Sequence, residues 1–350
     1  MAEREVRVPW EALQQFTAEI FTRVGMPPKD ARCEAEVLVW ANLRGVDSHG
    51  VLRVHWYVEL ADKGEMNPRP RIQTVKETPA TLLIDADRAF GPVVTVQAMR
   101  QVMQKAREVG IGWGLIRNVT HQGAMAYYSL LAAREGMAGL ALVCSPPNMA
   151  PFGARAAGLH NSPITIAVPA RRHPPLALDM ATSIAAGGKL RLAIDKGIAI
   201  PEGWALDKDG NSTTDPRLAT ILLPFGGPKG SGLAMLFECL SSLMVDNPLV
   251  APILLGRERE RSHRQNSVVA AIDIGTFTDV ERYRVHVDDF IDGLKGLPKA
   301  QGVEEILVPG EPEDRTHAER ARHGIPLPEG TARNLRSVAT RFGVALPPGL

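Results

Sequence analysis

The chain has 350 residues, which is more than one hydrophobic core usually organises, so two domains are expected. Forty Lys plus Arg against 39 Asp plus Glu leave a formal charge of +1. Such a balance gives no field for collecting nucleic acid or an anionic membrane, so we expect a protein that acts on small molecules, without a nucleic-acid or membrane partner.

The three cysteines, Cys33, Cys144 and Cys239, lie far apart in apolar segments and show neither metal-ligand nor redox spacing. We expect them to be buried, reduced thiols. The first residues contain no apolar core segment, and no apolar run is long enough to span a bilayer. These features predict a cytoplasmic protein.

Two amphipathic helices open the chain, over about 10–24 and 29–43, and each is followed closely by a glycine of the kind that ends helices. A third helix is predicted to begin at Asp47 or Ser48, whose short side-chain oxygens suit an N-cap, and to run to about residue 60. The segment Asn67-Pro68-Arg69-Pro70 then predicts an extended connection.

The motif Arg44-Gly-Val-Asp-Ser-His-Gly-Val-Leu-Arg53 carries the start of this third helix. In a helix, His49, Arg53 and Tyr57 would share one face. Histidine transfers protons near neutral pH, and arginine grips a carboxylate through two parallel hydrogen bonds, so the face suits a small acid. The alternative is that Ser48 only caps the helix, His49 satisfies a carbonyl, and Arg53 covers apolar surface with its stem.

From residue 81 short apolar runs alternate with helical patterns, which predicts an α/β fold. The predicted strands cover 81–84, 112–116, 139–144, 164–168, 176–179 and 268–274. The predicted helices cover 93–108, 124–134, 183–195, 230–245, 314–322 and 330–342, the last two being polar enough to lie outside a core. A mixed-charge run over 256–264 is interpreted as solvated surface.

The glycine-rich segment Pro224-Phe-Gly-Gly-Pro-Lys-Gly-Ser-Gly232 matches no Walker motif, because Gly230 follows Lys229 and the glycine spacing is wrong. No Gly-x-Gly-x-x-Gly follows a strand either, so a standard Rossmann domain is unsupported. Its free backbone N–H groups, one lysine and a following helix suit a phosphate or carboxylate. The alternative is a turn before a buried helix.

Two further segments follow predicted strands, where α/β folds often carry sites. His121 lies between a strand and the helix with Tyr127, and the segment Asp179-Met-Ala-Thr-Ser183 ends a strand in hydroxyl residues that suit a cap or a ligand. The nine histidines show no metal-ligand spacing. No Gly-x-Ser-x-Gly element supports a serine hydrolase.

Six segments together resemble, in order, the malate/L-lactate dehydrogenase family of the non-Rossmann type, which includes ureidoglycolate dehydrogenase, sulfolactate dehydrogenase and piperideine/pyrroline-2-carboxylate reductase. They are Arg44–Arg53, Thr120-His-Gln-Gly-Ala124, Asp179–Ser183, Ile200-Pro-Glu-Gly-Trp-Ala205, Pro224–Gly230 and Pro309-Gly-Glu311. The resemblance covers nearly the whole chain.

The resemblance implies a homodimeric oxidoreductase that uses NAD or NADP and moves a hydride between nicotinamide and C2 of a small 2-hydroxy or 2-oxo acid. It implies a non-Rossmann NAD(P)-binding α/β domain over 79–275. A mostly helical domain, built from both termini over 1–78 and 276–350, would supply dimer contacts and part of the substrate site. No metal is implied.

The resemblance also assigns site residues. The catalytic candidates are His49, His121 and Ser48, with His121 slightly favoured over His49 as the proton donor. The substrate-binding candidates are Arg53, as the carboxylate anchor, with Tyr57, His160 and Asn161. The cofactor-binding candidates are His121, Gly123, Ala124, Asp179, Met180, Ala181, Thr182, Lys229, Gly230, Pro309, Gly310 and Glu311.

Two departures from the family pattern bear on substrate and cofactor. The chain has His160-Asn-Ser-Pro163 where the family commonly has Gly-Thr-Asn-Pro, so the substrate pocket differs. Leu307 replaces a common arginine, which leaves NAD and NADP both open. A cyclic ketimine carboxylate reductase is the main alternative. A silent binding protein is a weaker alternative, because Ser48, His49, Arg53, His121 and Lys229 are all intact. A hydrolase using Ser48 and His49 is also weaker, because adjacent residues at a helix start should point in different directions.

Overall fold

The computed structural model describes residues 6–257 and 264–350, so most of the mixed-charge run predicted as solvated surface, residues 258–263, lies outside the described residues. The longer helices are α1 (Trp10–Val24), α2 (Pro28–Leu43), α3 (Arg53–Asp62), α4 (Gly91–Val109), α5 (Ala126–Arg134), α6 (Gly187–Lys196), α7 (Pro228–Glu238), α9 (Val280–Lys295), α10 (Glu311–His323) and α11 (Glu329–Phe342), and α8 (Ala251–Leu254) is a single turn.

The strands are β1 (Val6–Val8), β2 (Gln73–Glu77), β3 (Thr81–Asp85), β4 (Ile111–Val119), β5 (Met137–Cys144), β6 (Ile164–Val168), β7 (Leu176–Met180), β8 (Ala205–Leu206), β9 (Ser212–Thr213), β10 (Ile221–Leu222), β11 (Gln265–Asp273) and β12 (Ile325–Leu327). The first pairs with β12, and β8 to β10 form a small three-stranded sheet. Sequence reasoning missed β1, β2, β12, this small sheet and helix α9.

A mixed seven-stranded sheet in the order β2-β3-β4-β11-β5-β6-β7 confirms the α/β class. Only β3 and β4 pair in parallel, and α4 is the crossover between them; the other neighbours are antiparallel. Strand β11 comes from far along the chain and fills the centre between β4 and β5. The sheet therefore places the ends of β4 and β7 and the start of β11 along one edge.

Helices α4 and α5 cover one face of this sheet and form the largest hydrophobic cluster with it. The glycines of β4 let α4 approach closely, because a Cβ on Gly112 would lie 1.9 Å from the Val102 carbonyl oxygen. Those glycines are thus packing positions.

A second cluster joins both ends of the chain: α1, α2 and α3 pack with α11 around Leu13, Ile20 and Leu335. The expectation that both C-terminal helices lie outside a core is wrong for α11, which buries Ala332, Leu335, Val338 and Ala339. Its apolar residues are few but fall on one face. The proposed division into 1–78 with 276–350, and 79–275, stays a prediction.

Three local predictions are wrong. The third helix begins at Arg53, and Asp47–His49 forms a separate 3-10 turn, so Ser48 is not its N-cap. Helix α6 begins at Gly187 after Ala186 and has no side-chain cap, so the hydroxyl residues after β7 do not start it. Cys239, expected to be buried, is exposed on the π-helical turn Cys239–Leu243 that continues α7.

No helix in the described part of the chain is long and apolar enough to cross a membrane.

Candidate active site

A cavity of about 680 Å³ collects most of the predicted site residues. Its lining includes Ser48, His49, Arg53, His121, Gly123, Ala124, His160, Asn161, Asp179, Met180, Ala181, Pro309 and Gly310. They come from the turn after α2, the start of α3, the loop after β4, the loop before β6, the end of β7 with the residue after it, and the turn before α10. The volume is that of an ordinary ligand pocket.

His121 is held from behind by Tyr57. The Tyr57 hydroxyl lies 2.5 Å from Nδ1 of His121, and the Gly123 N–H approaches the same nitrogen at 3.3 Å. Both contacts are to Nδ1, so Nε2 is the nitrogen left for a ligand in the cavity. Tyr57 itself is fully buried and does not line the cavity, so it reaches the site only through His121.

His49 stacks on His121, with ring centroids 5.4 Å apart and planes 18° from parallel. Its Nδ1 lies 2.9 Å from the Ser48 hydroxyl. The expectation that these adjacent side chains point apart is wrong, because the 3-10 turn replaces the first helical turn there. Trp56 packs against His121 in a T-shaped arrangement, so Trp56, His121 and His49 form one aromatic cluster.

The Arg53 side chain is held by a hydrogen bond from Nε and by an aromatic ring against its guanidinium group. Nε donates to the Ser48 carbonyl oxygen over 2.7 Å, and the guanidinium lies over the Trp56 ring at 5.2 Å. In the part of the chain that the structure describes, no carboxylate pairs with it. The two terminal nitrogens therefore remain for an anion in the cavity.

The three cavity histidines are neutral at pH 7. Burial, reinforced by the positive charge of Arg53, lowers the pKa of His49 to about 4 and lowers the pKa of His121 well below its usual value. Arg191, a lining residue on α6, adds to both shifts. Burial also lowers the pKa of His160 to about 4. An anionic ligand would offset the cations and favour protonation of the stacked pair.

Asn161 is positioned by Asn148, a lining residue that sequence reasoning missed. The Asn161 N–H donates to Oδ1 of Asn148 over 2.8 Å, and Nδ2 of Asn148 donates to Oδ1 of Asn161 over 3.0 Å. The Asn161 carbonyl accepts from the Thr182 N–H. This reciprocal pair fixes the segment that departs from the family pattern.

Asp179 is the penultimate residue of β7 and accepts from the Ala126 N–H at the start of α5, over 3.0 Å. Burial raises the pKa of its carboxyl to about 6, and Glu313 adds to the increase while Arg44 opposes it. Gly310, with φ of 90°, packs against the same strand, since a Cβ added at this position would lie 3.3 Å from Ala177.

Four predicted cofactor residues do not line the cavity. Thr182 is buried, and its hydroxyl has no hydrogen-bond partner among the described residues. Its carbonyl accepts from the Phe225 N–H, so it holds the glycine-rich turn. Gly230 is buried against Thr182, since its Cβ would lie 2.5 Å from the Thr182 carbonyl oxygen. Lys229 is exposed, and Glu311 is occupied by Lys295 at 2.8 Å.

In the described residues no group of three or more His, Cys, Asp or Glu side chains is arranged to hold a metal ion.

Comparison with known proteins agrees with the motif order. The family model for malate/L-lactate dehydrogenase matches residues 8–336. The chain belongs to the malate/L-lactate dehydrogenase family. It is a dehydrogenase of 2-hydroxy acids, and enzymes of this type use a nicotinamide cofactor.

Similar proteins match nearly the full length of this chain. L-sulfolactate dehydrogenase of Methanocaldococcus jannaschii is 38% identical, over 95% of this chain and 96% of the relative. The crystal structure of malate dehydrogenase from Entamoeba histolytica has a TM-score of 0.94 at 28% identity, covering 98% and 100% of the two chains. The structure of delta1-piperideine-2-carboxylate reductase from Pseudomonas syringae pv. tomato has a TM-score of 0.82 at 26% identity, covering 95% and 99%.

The cavity of this dehydrogenase fits a nicotinamide group by its polar chemistry. Gln122 lines the cavity, and its buried Oε1 has no hydrogen-bond partner among the described residues, so it suits an amide donor. Its Nε2 is fixed by Thr95 at 2.7 Å and Ser267 at 2.9 Å.

Sequence reasoning missed the lining residues Asn148 and Arg191, included Gln122 only as part of a matched cofactor-contacting stretch, and passed over Arg44 as only the start of its motif. Arg44 is buried, pairs with Asp314, and donates to the Gly310 carbonyl oxygen over 3.3 Å. The signal for Arg44 and Gln122 was their place inside matched motifs. Arg191 offered none, because one arginine in an amphipathic helix is normally surface.

Proposed function

We propose that this dehydrogenase transfers a hydride between NAD or NADP and C2 of a small 2-hydroxy or 2-oxo acid, with His121 as the acid/base group. The observation that carries the proposal is the contact of Tyr57 with Nδ1 of His121, which leaves Nε2 facing a cavity that also contains Arg53. A proton-transfer group and a carboxylate anchor thus share one site.

Arg53 is proposed to bind the substrate carboxylate. Its Nε donates to the Ser48 carbonyl, which favours one orientation of the guanidinium, and its outer nitrogens can form the paired hydrogen bonds that suit a carboxylate. Fixing the carboxylate fixes C2 relative to His121, which contributes to the rate by orientation. His160 and Asn161, in the loop before β6, would contact the remaining part of the substrate.

The protonation of His121 depends on the charge of Arg53 and of the bound substrate. A bound carboxylate offsets the positive charge of Arg53, which otherwise lowers the pKa of His121, so the imidazole gains a proton. In reduction, C2 of the oxo acid gains the hydride while Nε2 gives its proton to the oxygen. The hydrogen that Nδ1 carries in the protonated ring is donated to the Tyr57 hydroxyl, which can accept or donate, in place of the 3.3 Å contact from the Gly123 N–H. Oxidation is the reverse.

The cofactor would be held by Gly123, Ala124, the 179–181 segment, Pro309 and Gly310, all of which line the cavity. When bound, it supplies or accepts the hydride. The roles of Thr182, Gly230, Lys229 and Glu311 as cofactor contacts remain proposals, and the first two support the cavity wall by packing.

Steady-state assays of NADH and NADPH consumption with a panel of 2-oxo acids test the function. We expect His121→Ala to reduce kcat by roughly 10²–10⁴-fold, the usual value of a proton-transfer group, and His49→Ala to reduce it less. His173→Ala, which removes an exposed-loop histidine paired with Asp292, is the control. Full activity in both cavity variants would contradict the assignment.

A cyclic ketimine carboxylate is the second candidate substrate, favoured by the similarity to the piperideine-2-carboxylate reductase structure and by the changed segment at His160. Such a substrate also carries a carboxylate for Arg53. Comparing kcat/KM for piperideine-2-carboxylate with that for pyruvate and oxaloacetate separates the two. Preference for the imine would reverse our choice.

A homodimer in the cytoplasm is also proposed. In support, α7, its π-helical extension and α8 expose large apolar side chains that a second copy would cover: Met235, Leu236, Leu240, Leu243, Met244, Leu254 and Leu255. Light scattering should give a mass twice the 37.9 kDa of one chain, and the Leu236→Glu variant should have the mass of a single chain. A monomeric wild type would contradict the proposal.

A further inference from the structure

Two cations line one end of the active-site cavity. Arg53 lies at the start of α3, and Arg191 lies in the second turn of α6. The same two side chains also line a neighbouring cavity of about 470 Å³, together with Leu52, His55, Trp56 and Asn334. Arg191 therefore stands at the boundary between the active-site cavity and the space beside it, close to the proposed carboxylate anchor.

Helix α6 is held against the motif turn, which fixes the start of the helix that carries Arg191. A Cβ on Gly188 would lie 2.7 Å from the Cβ of Ser48 and 3.0 Å from its hydroxyl. Only a glycine permits this approach without a shift. The contact places Arg191, three residues later, beside the same turn that supports His49 and Arg53.

No acidic side chain among the described residues pairs with either guanidinium. The positive charge of Arg191 lowers the pKa of Arg53, His49 and His121, so its field is felt by every proposed catalytic or anchoring group at this end. The histidines are neutral and cannot offset it.

The acidic lining residues belong to another part of the cavity. Asp179 lies on β7 and accepts from the Ala126 N–H at the start of α5, and Glu313 lies on α10, whereas Arg53 and Arg191 lie on α3 and α6. Within the side chains that the structure describes, one end of the cavity thus carries two positive charges without an acidic partner. Arg53 is half-buried and Arg191 is exposed, and a ligand with one negative charge leaves half of this positive charge without an ionic partner.

We propose that Arg191 binds a second anionic group of the substrate, so that the enzyme selects a dianionic acid over a monoanionic one. The reacting acid then carries a carboxylate or a similar anion beyond C2, in addition to the carboxylate on Arg53. The substrate-selecting residue is Arg191, and the substrate class is a short 2-oxo or 2-hydroxy dicarboxylate. This inference rests on the proposed function and deepens it.

Kinetics with oxaloacetate and pyruvate test the selection in the wild type, Arg191→Gln and Arg191→Lys. We expect Arg191→Gln to reduce kcat/KM for oxaloacetate by about 10- to 100-fold, mainly through KM, and to change the value for pyruvate by less than about threefold. Arg191→Lys should restore part of the loss. Lys189→Gln, which removes the exposed cation over Trp204 on the same helix, should change neither value.

Calorimetric titration with succinate and propionate gives a readout that is independent of turnover. The wild type should bind succinate more tightly, and Arg191→Gln should remove that preference. Equal losses for both oxo acids would mean that both arginines grip one carboxylate, and would overturn the proposal. Equal binding of succinate and propionate by the wild type would also overturn it. A succinate preference lost in Arg191→Gln, without turnover of any 2-oxo acid, would support the anion site and contradict the proposed function.

Discussion

The Tyr57 hydroxyl lies 2.5 Å from Nδ1 of His121, which joins helix α3 to the loop after β4 across 64 residues of sequence. The tyrosine belongs to the cluster built from both chain termini, and the histidine follows a strand of the large sheet. The contact therefore couples the packing of the terminal helices to the orientation of the proposed proton donor.

Replacing Tyr57 with phenylalanine keeps the packing and removes this hydrogen bond. We expect kcat to decrease roughly tenfold with little change in KM, because one net hydrogen bond at His121 corresponds to about that factor. Tyr127→Phe is the matched control, since its hydroxyl bonds to Glu36 and not to a cavity histidine. An unchanged kcat in Tyr57→Phe would show that the contact does not position His121.

Arg53 is expected to act mainly on substrate binding. Arg53→Gln should raise KM for a 2-oxo acid by roughly 10- to 100-fold, because it removes a charged, two-pronged anchor. Arg53→Lys should recover only part of this, since an ammonium cannot reproduce the fork. Inhibition by a simple carboxylate measured in parallel should weaken equally. An unchanged KM in both variants would place the anchor elsewhere.

The pH profile of oxidation follows from the lowered pKa of His121. Oxidation needs the neutral imidazole, which is the form above the pKa, so kcat/KM should be level through neutral pH and decrease only below the usual histidine range. Arg53→Gln removes a cation that lowers this pKa, so the acidic limb should move to higher pH. Measuring kcat/KM against pH in both proteins checks the direction, and a shift toward lower pH would contradict it.

Gly188 is expected to be sensitive to a single methyl group. Gly188→Ala would place a Cβ 2.7 Å from the Cβ of Ser48, so the motif turn or α6 must shift. Activity should decrease although a glycine-to-alanine change in a helix usually favours folding. Gly232→Ala on α7, where the new Cβ meets nothing within 4 Å, is the control. Equal activity in both variants would show that the contact tolerates movement.

Glu34 offers a test of stability. It is fully buried on α2, both carboxylate oxygens lack partners among the described residues, and burial raises its pKa well above the usual value. Below about pH 4.3 both states are protonated, whereas above it only the unfolded state ionises, so folding becomes less favourable as pH rises. The increase in Tm of Glu34→Gln over wild type should grow from pH 5 to pH 8. A constant difference would contradict the buried, protonated carboxyl.

The sequence was sufficient for most elements of regular structure. Helix α1 was predicted over its observed residues and β6 likewise, because a strong helical period and a short branched apolar run are local signals. Helix α9 was missed although its apolar residues fall on one face, because the helix is polar overall and buries only Val287, Asp288 and Ile291. The short strand β12 was missed because three residues carry no period of their own.

What the sequence by itself determined is the family, through six short motifs in order, and with it the candidate site residues Ser48, His49, Arg53 and His121. What only the tertiary structure decided is which side chains meet. The partner of His121 is a tyrosine 64 residues away, and Arg191 stands beside Arg53 although helix α6 shares no pattern with α3. Local signals report the path of the backbone, whereas the meeting of distant side chains depends on how sheet and helices pack, which no window of sequence contains.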